Sequence, residues 1–538
     1  MTASTLILAA LMAAAPSPRA LITQGPPQSP GPASDTPRDA GERDRPKLFG
    51  DTDPAALDAS LRASPLGKGL TPVAGGLTSD IVAERTVAAS PSLQIKQVQI
   101  ERAAARVDQT IVSFLPTIGV KAGYTRLSKA AINFGGGAGV AAVNGPTDGS
   151  AFAPVTVGPC PGGVGQCVLD PGGQPLGVTP PFKIQIPLNS YSLQANLALP
   201  ISDYILSLAP AKKGTLAARE SATLARDAER VKVETDARLA YYNWLRAVSA
   251  LIVIEDALTR TQARLTDVQN LFDAGAATRS DVLRVDALVS SQQSAINDAR
   301  AFRSVAEQSL AILMNEPVRD YTVGEDMLAP PPSIGALPKL EDLIAEAHEK
   351  RLELKSLERA IDGTEQGIRA TRAQYYPRLD AFAETTYANP NQRFFPLQSI
   401  WRASWSAGLQ LSYTINQTLR TKAQVREQKT NKRELILQAE QMRRGIAMEV
   451  TQAYHDRVRA IAAIELSTRG LASAAEAYRV ASENYKAGAA TTNEIIDAEG
   501  DQVRAGLQAV TSRIDLHVAT TRLLYASGRL NPSAGARK

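Results

Sequence analysis

The sequence predicts an α+β membrane protein built by internal duplication, in which lipid-facing strands adjoin helices too long for any compact core. Three observations carry this. The pentapeptide AGAAT occurs at 274–278 and again at 487–491, 213 positions later. From Tyr204 to Asp273 about 70 residues pass with no proline after Pro210, which at 1.5 Å per residue is about 100 Å of helix. Four other segments abandon the helical period for strict apolar/polar alternation.

The chain has 538 residues, only 5% aromatic, with 59 basic and 54 acidic side chains for a net charge of +5. No basic block stands out, which argues against a nucleic-acid partner. No run of about 18 apolar residues occurs, so no transmembrane helix is expected. At the N-terminus, residues 6–15 have the length of a secretory apolar region, and Ala13-Ala14-Ala15 offers small residues for cleavage. The preceding positive residues of a signal peptide (1–20) are missing, so a plain tail or misassigned start is the other reading. No cysteine follows the apolar stretch, which argues against a lipid anchor. Residues 21–76, rich in Pro, Gly and Asp, read as a flexible leader.

At the 213 offset Ala240-Tyr241 matches Ala453-Tyr454, Arg246-Ala247 matches Arg459-Ala460, and Leu310 matches Leu523. Upstream the offset is 261: Phe114 corresponds to Tyr375 and Leu93 to Leu354. The difference is an insertion in the first copy, placed by its Gly/Pro content at about 129–185 and read as a long exposed loop. The chain is therefore a tandem duplication, 77–320 and 338–530, with a linker at 321–337 and a tail at 531–538.

Each copy reads helix, strand, loop, strand, very long helix, AGAAT, helix. In the first long helix Trp244, Ala247, Leu251, Ile254, Leu258, Leu265, Val268 and Phe272 recur at heptad spacing, and Val282, Val285, Val289, Ile296 and Ala299 continue in its successor. Copy two offers Ala460, Ile464, Leu471, Ala474, Tyr478, Ala481 and Tyr485. The alternating segments are WRASWSAGLQLSYTI (from Trp401), YSLQANLAL (from Tyr191), a row of Ile118, Val120, Ala122 and Tyr124, and a row of Leu379, Ala381, Ala383 and Tyr387. Strands of this length, apolar on one side and polar on the other, suit a lipid-spanning barrel with a wet interior. In lipid every backbone group must be hydrogen-bonded, so such strands must close. A soluble, half-buried sheet shows the same alternation, and Trp401, Trp405 and Tyr413 near the strand ends favour the membrane.

Cys160 and Cys167, in GPCPGGVGQC, have no zinc spacing and no histidine nearby. They read as a small disulfide-closed loop, with two free thiols as the alternative. The three histidines, His348, His455 and His517, sit singly on expected helices and read as solvated residues. Gly137, Gly139 and Ala142 fit G-x-G-x-x-A, but no helix can follow through the NGP that comes next. No metal cluster or nucleophile elbow appears, and neither an enzyme nor a cofactor is expected.

This duplicated helix–strand–strand–helix order, with LP or YP entering the first strand and AG–T––[DE] between long helices, resembles the TolC-like outer-membrane efflux proteins over 77–530. The resemblance implies a homotrimer, each protomer giving four strands to a transmembrane β-barrel of twelve, continued by a long periplasmic α-helical barrel. It also implies a passive exit duct in the outer membrane of a Gram-negative bacterium, reached by an inner-membrane pump through a periplasmic adaptor. AGAAT then forms the hairpin-tip turns that meet the adaptor: Gly275 and Gly488 permit positive φ, and Thr278 and Thr491 cap the next helices, Thr491-x-x-Glu494 with capping-box spacing and Thr278-x-x-Asp281 as its shorter variant. Glu494 and Asp497 match the family's acidic entrance ring, although capping explains Glu494 equally well. Tyr485 and Asp281 match residues that hold the entrance shut, with heptad core the other reading for Tyr485. Ala490 stands where the family prototype has a closing arginine, for which Arg279 or Arg284 is the candidate substitute. The rival class is a periplasmic coiled-coil adaptor without a pore, but adaptors usually carry a single hairpin and this chain has two.

Overall fold

A computed structural model of the chain describes residues 62, 64–129, most of 156–175, 187–327, 329, 337–395 and 397–530. All of them belong to one unit, Ala55–Lys538. The elements are α1 (Pro65–Gly69), α2 (Ser79–Ala89), α3 (Pro91–Val112), β1 (Thr117–Arg126), β2 (Thr156–Pro159), β3 (Gln166–Leu169), β4 (Asn189–Leu199), α4 (Ala209–Asp273), α5 (Arg279–Met314), α6 (Leu340–Lys350), α7 (Leu352–Arg372), β5 (Arg378–Asn389), β6 (Arg402–Ser412), α8 (Gln417–Lys486) and α9 (Thr492–Ala526). The signal-peptide stretch at 1–20, most of the leader, the G-x-G-x-x-A stretch and the tail lie outside the described residues.

Helix starts are written locally. Ser64, Thr78 and Ser90 each place a side-chain oxygen on a backbone N–H of the first turn, and prolines open α1 and α3. Boundaries repeat at the offsets seen in the sequence: α2, α3 and β1 start 261 positions before α6, α7 and β5, and α5 starts 213 before α9. Between β4 and β6 an offset of 213 would exchange the two faces of the strand. The alternation instead aligns at 214, Tyr191 with Trp405 and Leu197 with Leu411. The extra residue is taken up by a π-helical turn, Tyr204–Leu208, at the entrance to α4; such turns accommodate single-residue insertions without breaking the helix.

The four long strands form one antiparallel sheet in the order β1-β4-β5-β6. Register puts Ile118 opposite Leu197, Leu197 opposite Ala383, and Ala383 opposite Ala407, so a single apolar face crosses all four strands. That face is uncovered: Ile118 and Trp405 are each 75% exposed and Leu411 69%. The other face carries Lys121, Gln194, Glu384 and Ser406. At one end of the sheet Tyr124, Tyr191, Trp401 and Tyr387 form a row of rings with centroids 4.9–6.2 Å apart. At the opposite end, beside the helices, Phe114 stacks on Tyr204. Among the described residues no helix is long and apolar enough to cross a membrane.

Within 129–185, read as a long exposed loop, β2 and β3 pair as a short antiparallel hairpin closed by a Cys160–Cys167 disulfide. Glycines at 162, 163 and 165 with positive φ turn this hairpin.

The leader and linker boundaries are corrected by packing. Leu66 and Leu70, read as flexible leader, and Leu77 at the start of the first repeat are buried with Tyr241, Trp244 and Leu245 of α4, together with Tyr321, Val323 and Met327 of the expected linker. The two segments are tied by Val73 N–H to Val323 O and Leu77 N–H to Thr322 O, both 2.8 Å. Gly76 and Gly324 allow this, since a Cβ on either would fall within 2.6 Å of the other strand's backbone. Low hydrophobic density concealed the strap because a few leucines suffice when they enter a core already built by a helix.

Helix α4 lies against α2, α3, α5, α7 and α9. Its heptad residues Trp244, Ala247, Leu251 and Val268 are buried, as are Val285, Val289, Ile296 and Ala299 of α5, whereas Phe272 is exposed near the hairpin tip. In α8 only Ala460 of the expected seam is fully buried, because α8 has fewer neighbours within the protomer.

His517, expected on a solvated face, is instead buried, its ring 5.5 Å from that of Tyr242. Burial pushes its pKa down, against the opposing influence of Glu325 and a backbone hydrogen bond at Ala329. A histidine depressed in the folded state contributes stability above its unfolded pKa. That contribution is lost as the pH drops below about 6.5 towards the folded value. Thermal unfolding in detergent is expected to show a melting temperature that declines in this window, and His517→Gln should flatten that part of the profile.

Candidate gate at the hairpin tips

The hairpins α4–α5 and α8–α9 end in the same turn. Gly275 N–H reaches Phe272 O (2.9 Å) and Ala276 N–H reaches Leu271 O (2.8 Å); Gly488 and Ala489 make the matching bonds to Tyr485 and Asn484. Gly275 has φ +77° and Gly488 +72°, the left-handed conformation that closes a helix C-terminus. A side chain at either position would be strained.

Both following helices are capped by threonine. Thr278 Oγ1 accepts from Asp281 N–H (3.2 Å), and Asp281 Oδ2 accepts from Thr278 N–H (3.1 Å), a complete reciprocal box. At the second tip Thr491 Oγ1 accepts from Glu494 N–H (3.4 Å), while the Glu494 carboxylate takes the Thr491 hydroxyl (3.1 Å). The shorter aspartate thus closes the full box, and the glutamate bonds the hydroxyl. Hydrogen bonds from the Thr278 hydroxyl and then its backbone N–H hold the Asp281 carboxyl below the usual range.

The two tips touch. Arg284 on α5 donates to Asn493 on α9. Asp281 is engaged by Thr278, and half-buried Tyr485 lies in the last turn of α8. Along α9, Thr492, Ile495 and Glu499 form the buried face, whereas Glu494 and Asp497 are exposed. Both exposed carboxylates lie within two turns of the helix N-terminus, where negative charge is favoured.

Sequence reading missed the most buried charges near the tip. Glu499, 1% exposed, lies 3.3 Å from Arg264 Nε of α4, itself 7% exposed. Thr261 Oγ1 donates to Glu499 Oε1 (3.2 Å), and Arg264 Nη2 donates to Tyr478 Oη on α8 (3.1 Å). One layer away, Arg260 bonds Gln502 at 2.8 Å and pairs with Asp256. Burial pushes the Glu499 carboxyl up, and Arg264 opposes that shift. This layer joins α4, α8 and α9 about 12 Å above the tip, eight residues into α9 at 1.5 Å each. The sequence signal was a charged residue, Arg264, beside the heptad leucine at 265. Among the described residues no group of three or more His, Cys, Asp or Glu could hold a metal ion.

A buried ion pair adds little net stability, but removing one partner strands the other charge at a cost of about 3–5 kcal/mol. Glu499→Leu is therefore expected to lower the apparent melting temperature sharply, and adding Arg264→Met should restore most of the loss. Calorimetry or circular dichroism of the single and double variants measures the coupling.

Comparison with known proteins places this architecture. Residues 343–529 match the family model described as outer membrane efflux protein. A curated relative, the outer membrane efflux protein BepC of Brucella suis biovar 1, is 24% identical over 297 residues, 53% of this chain and 60% of that protein. Among solved structures, that of CusC superposes with a TM-score of 0.64 at 14% identity, covering 84% of this chain and 92% of the other. The outer membrane channel CmeC of Campylobacter jejuni gives 0.62 at 14% identity, covering 84% and 85%. The chain thus resembles outer membrane efflux proteins in sequence over 343–529 and shares the fold of solved outer membrane channels over most of its length.

Proposed function

We infer that the protein is the outer-membrane channel of a tripartite efflux or type I secretion system, a passive exit duct for cargo delivered by an inner-membrane pump through a periplasmic adaptor. The observation that carries this reading is the sheet. Its apolar face is uncovered across all four strands while its opposite face is polar, the arrangement of a lipid-facing wall around a wet interior. Among the described residues neither β1 nor β6 has a strand on its outer side, so one protomer cannot satisfy its backbone in lipid. Three copies give a closed barrel of twelve strands. The long hairpins then continue the duct into the periplasm, with their tips at its entrance.

Two hairpins that share a protomer with their own sheet support a channel over a single-hairpin adaptor. The role is transport, with no catalytic step and no cofactor. At the entrance, exposed Asp497 and Glu494 from each copy supply six carboxylates that attract cations. Asp281, Tyr485 and the Arg284–Asn493 contact hold the hairpins together, Arg284 standing in for the arginine absent at Ala490. The turns at Gly275, Thr278, Gly488 and Thr491 form the surface offered to the adaptor.

Purified protein is expected to fractionate with outer membrane, resist carbonate extraction and run in detergent with the mass of a trimer. A soluble monomer would end the channel reading. In planar bilayers Asp497→Ala should weaken block by divalent cations and alter single-channel conductance; unchanged currents would remove Asp497 from the entrance.

A further inference from the structure

The helices that leave the sheet carry a one-sided row of cations. On α8, Lys422, Arg426, Lys429 and Arg433 are exposed, and none of them forms an ion pair among the described residues. Each directly follows a residue of the stripe turned to α7: Thr421, which bonds Gln374 (3.4 Å), buried Val425, half-buried Gln428, and Lys432, which bonds Glu365 (2.9 Å). One residue turns an α-helix by about 100°, so the four cations share one flank of α8, a quarter turn from α7. The residues that precede the stripe, Arg420, Gln424, Glu427 and Asn431, form the opposite flank and are mixed in charge. On α4, Lys213 stands 213 positions before Arg426, the offset of the duplication, and is likewise exposed and without an ion pair among the described residues.

Chain geometry fixes which side of the sheet the basic flank shares. Leu127 N–H bonds Leu188 O (2.7 Å), so odd-numbered residues of β1 direct their backbone groups to β4, and the apolar, even-numbered ones direct theirs to the open edge. Seen from the apolar side with the loop ends uppermost, β1 rises. In a rising strand of L-residues, a side chain aimed at the viewer goes with N–H and C=O aimed to the right. Strands β4, β5 and β6 therefore follow to the left of β1, and α8 descends from β6 to the left of α7. A right-handed helix turns clockwise as it descends, seen from above. With α7 on its right, the residue after each α7-facing one points to the viewer, and the basic flank lies on the apolar, outer side. Helix α4 has α7 on its left, where a Cβ on Gly214 would come 3.2 Å from Gly363 O. Its outward residue is then the one before Gly214, which is Lys213. Asp108, next after buried Val107 of α3, is a counter-charge on the same side.

Height completes the argument. From Trp401 to Tyr413 the outer row of β6 spans twelve residue steps, about 40 Å of strand and about 30 Å of height at the usual barrel tilt. That is the thickness of a hydrocarbon layer. Trp401 belongs to the row of rings at the loop end, and exposed Tyr413 and Ile415 end the apolar row at the helix end. Lys422 and Arg426 lie about 8 and 14 Å beyond the start of α8, and Lys213 about 6 Å into α4, within reach of a headgroup layer when their long side chains extend upward. We propose that Lys422, Arg426 and Lys213 bind the acidic phospholipid headgroups of the leaflet on the helix side, with Lys429 and Arg433 extending the attractive field below them. This rests on the reading of the sheet as a lipid-spanning wall and adds the lipid that its lower rim selects. Cargo inside a duct does not meet this flank, because the flank is on the outer side.

Lipid retention by the detergent-purified full chain tests the proposal. Native mass spectrometry is run with added phosphatidylglycerol or phosphatidylcholine of matched acyl chains. The wild type is expected to retain phosphatidylglycerol in preference, and high salt should erase the difference. Arg426→Gln should lower the preference about fivefold, the effect of one cation beside an acidic surface, whereas Arg426→Lys should keep it. Combining Lys213→Gln, Lys422→Gln and Arg426→Gln should lower it more than about tenfold. Arg420→Gln, on the opposite flank, should leave it unchanged. Equal retention of the two lipids by the wild type overturns the proposal, as does an equal loss in Arg420→Gln and Arg426→Gln; a trimeric mass in the same spectra then leaves the channel reading standing. A monomer that retains neither lipid ends both.

Discussion

The structure depends on a hydrogen-bonding constraint at the edges of one sheet. Strands β1 and β6 expose rows of backbone groups beside a face of Ile118, Trp405 and Leu411 that water does not favour. In water such edges invite aggregation; in lipid they are not tolerated at all. On the proposed channel reading, closure with further copies resolves both problems. It also explains why apolar side chains on the sheet point away from the protomer, and why α8 keeps so open a face while α4 is surrounded. The polar side of the same strands lines whatever the barrel encloses.

The helical part meets a different demand. Two long hairpins must keep a defined relation over a length at which heptad packing alone leaves sliding inexpensive. The strap formed by residues 64–77 and 321–327 fixes the helices around Trp244, and the Arg264–Glu499–Tyr478 layer fixes them near the tips. The first is apolar and tolerant of small shifts. The second is directional, because a displaced hairpin leaves buried charges without partners. The contact at the tip, Arg284 to Asn493, lies in water and is correspondingly weaker. On the proposed reading of the tips as a gate, a gradient from firm core to loose tip suits an entrance that changes its width.

Much of this was legible because it is written locally. Helix lengths followed from proline spacing, turns from the glycines of AGAAT, caps from Thr278 and Thr491, and strand faces from alternation at Ile118 to Tyr124. The duplication added long-range information, since equal offsets place equivalent elements in equivalent surroundings. Reading failed where few residues act at a distance. Leu66 and Leu70 looked like leader because their partners lie on α4. His517 looked solvated because its cover comes from residues near 325. Arg264 and Glu499 stood 235 positions apart, with nothing in either neighbourhood to announce the other.

By itself, then, the sequence determined the element types, their order, the two-fold repetition and the apolar side of each strand, since these depend on periodicity and turn chemistry within a few residues. Tertiary structure alone decided which segments strap the helices, which charges are buried, and that a π-turn keeps the two repeats in phase across the sheet. Those outcomes depend on distances between residues hundreds of positions apart, and no local pattern encodes such distances.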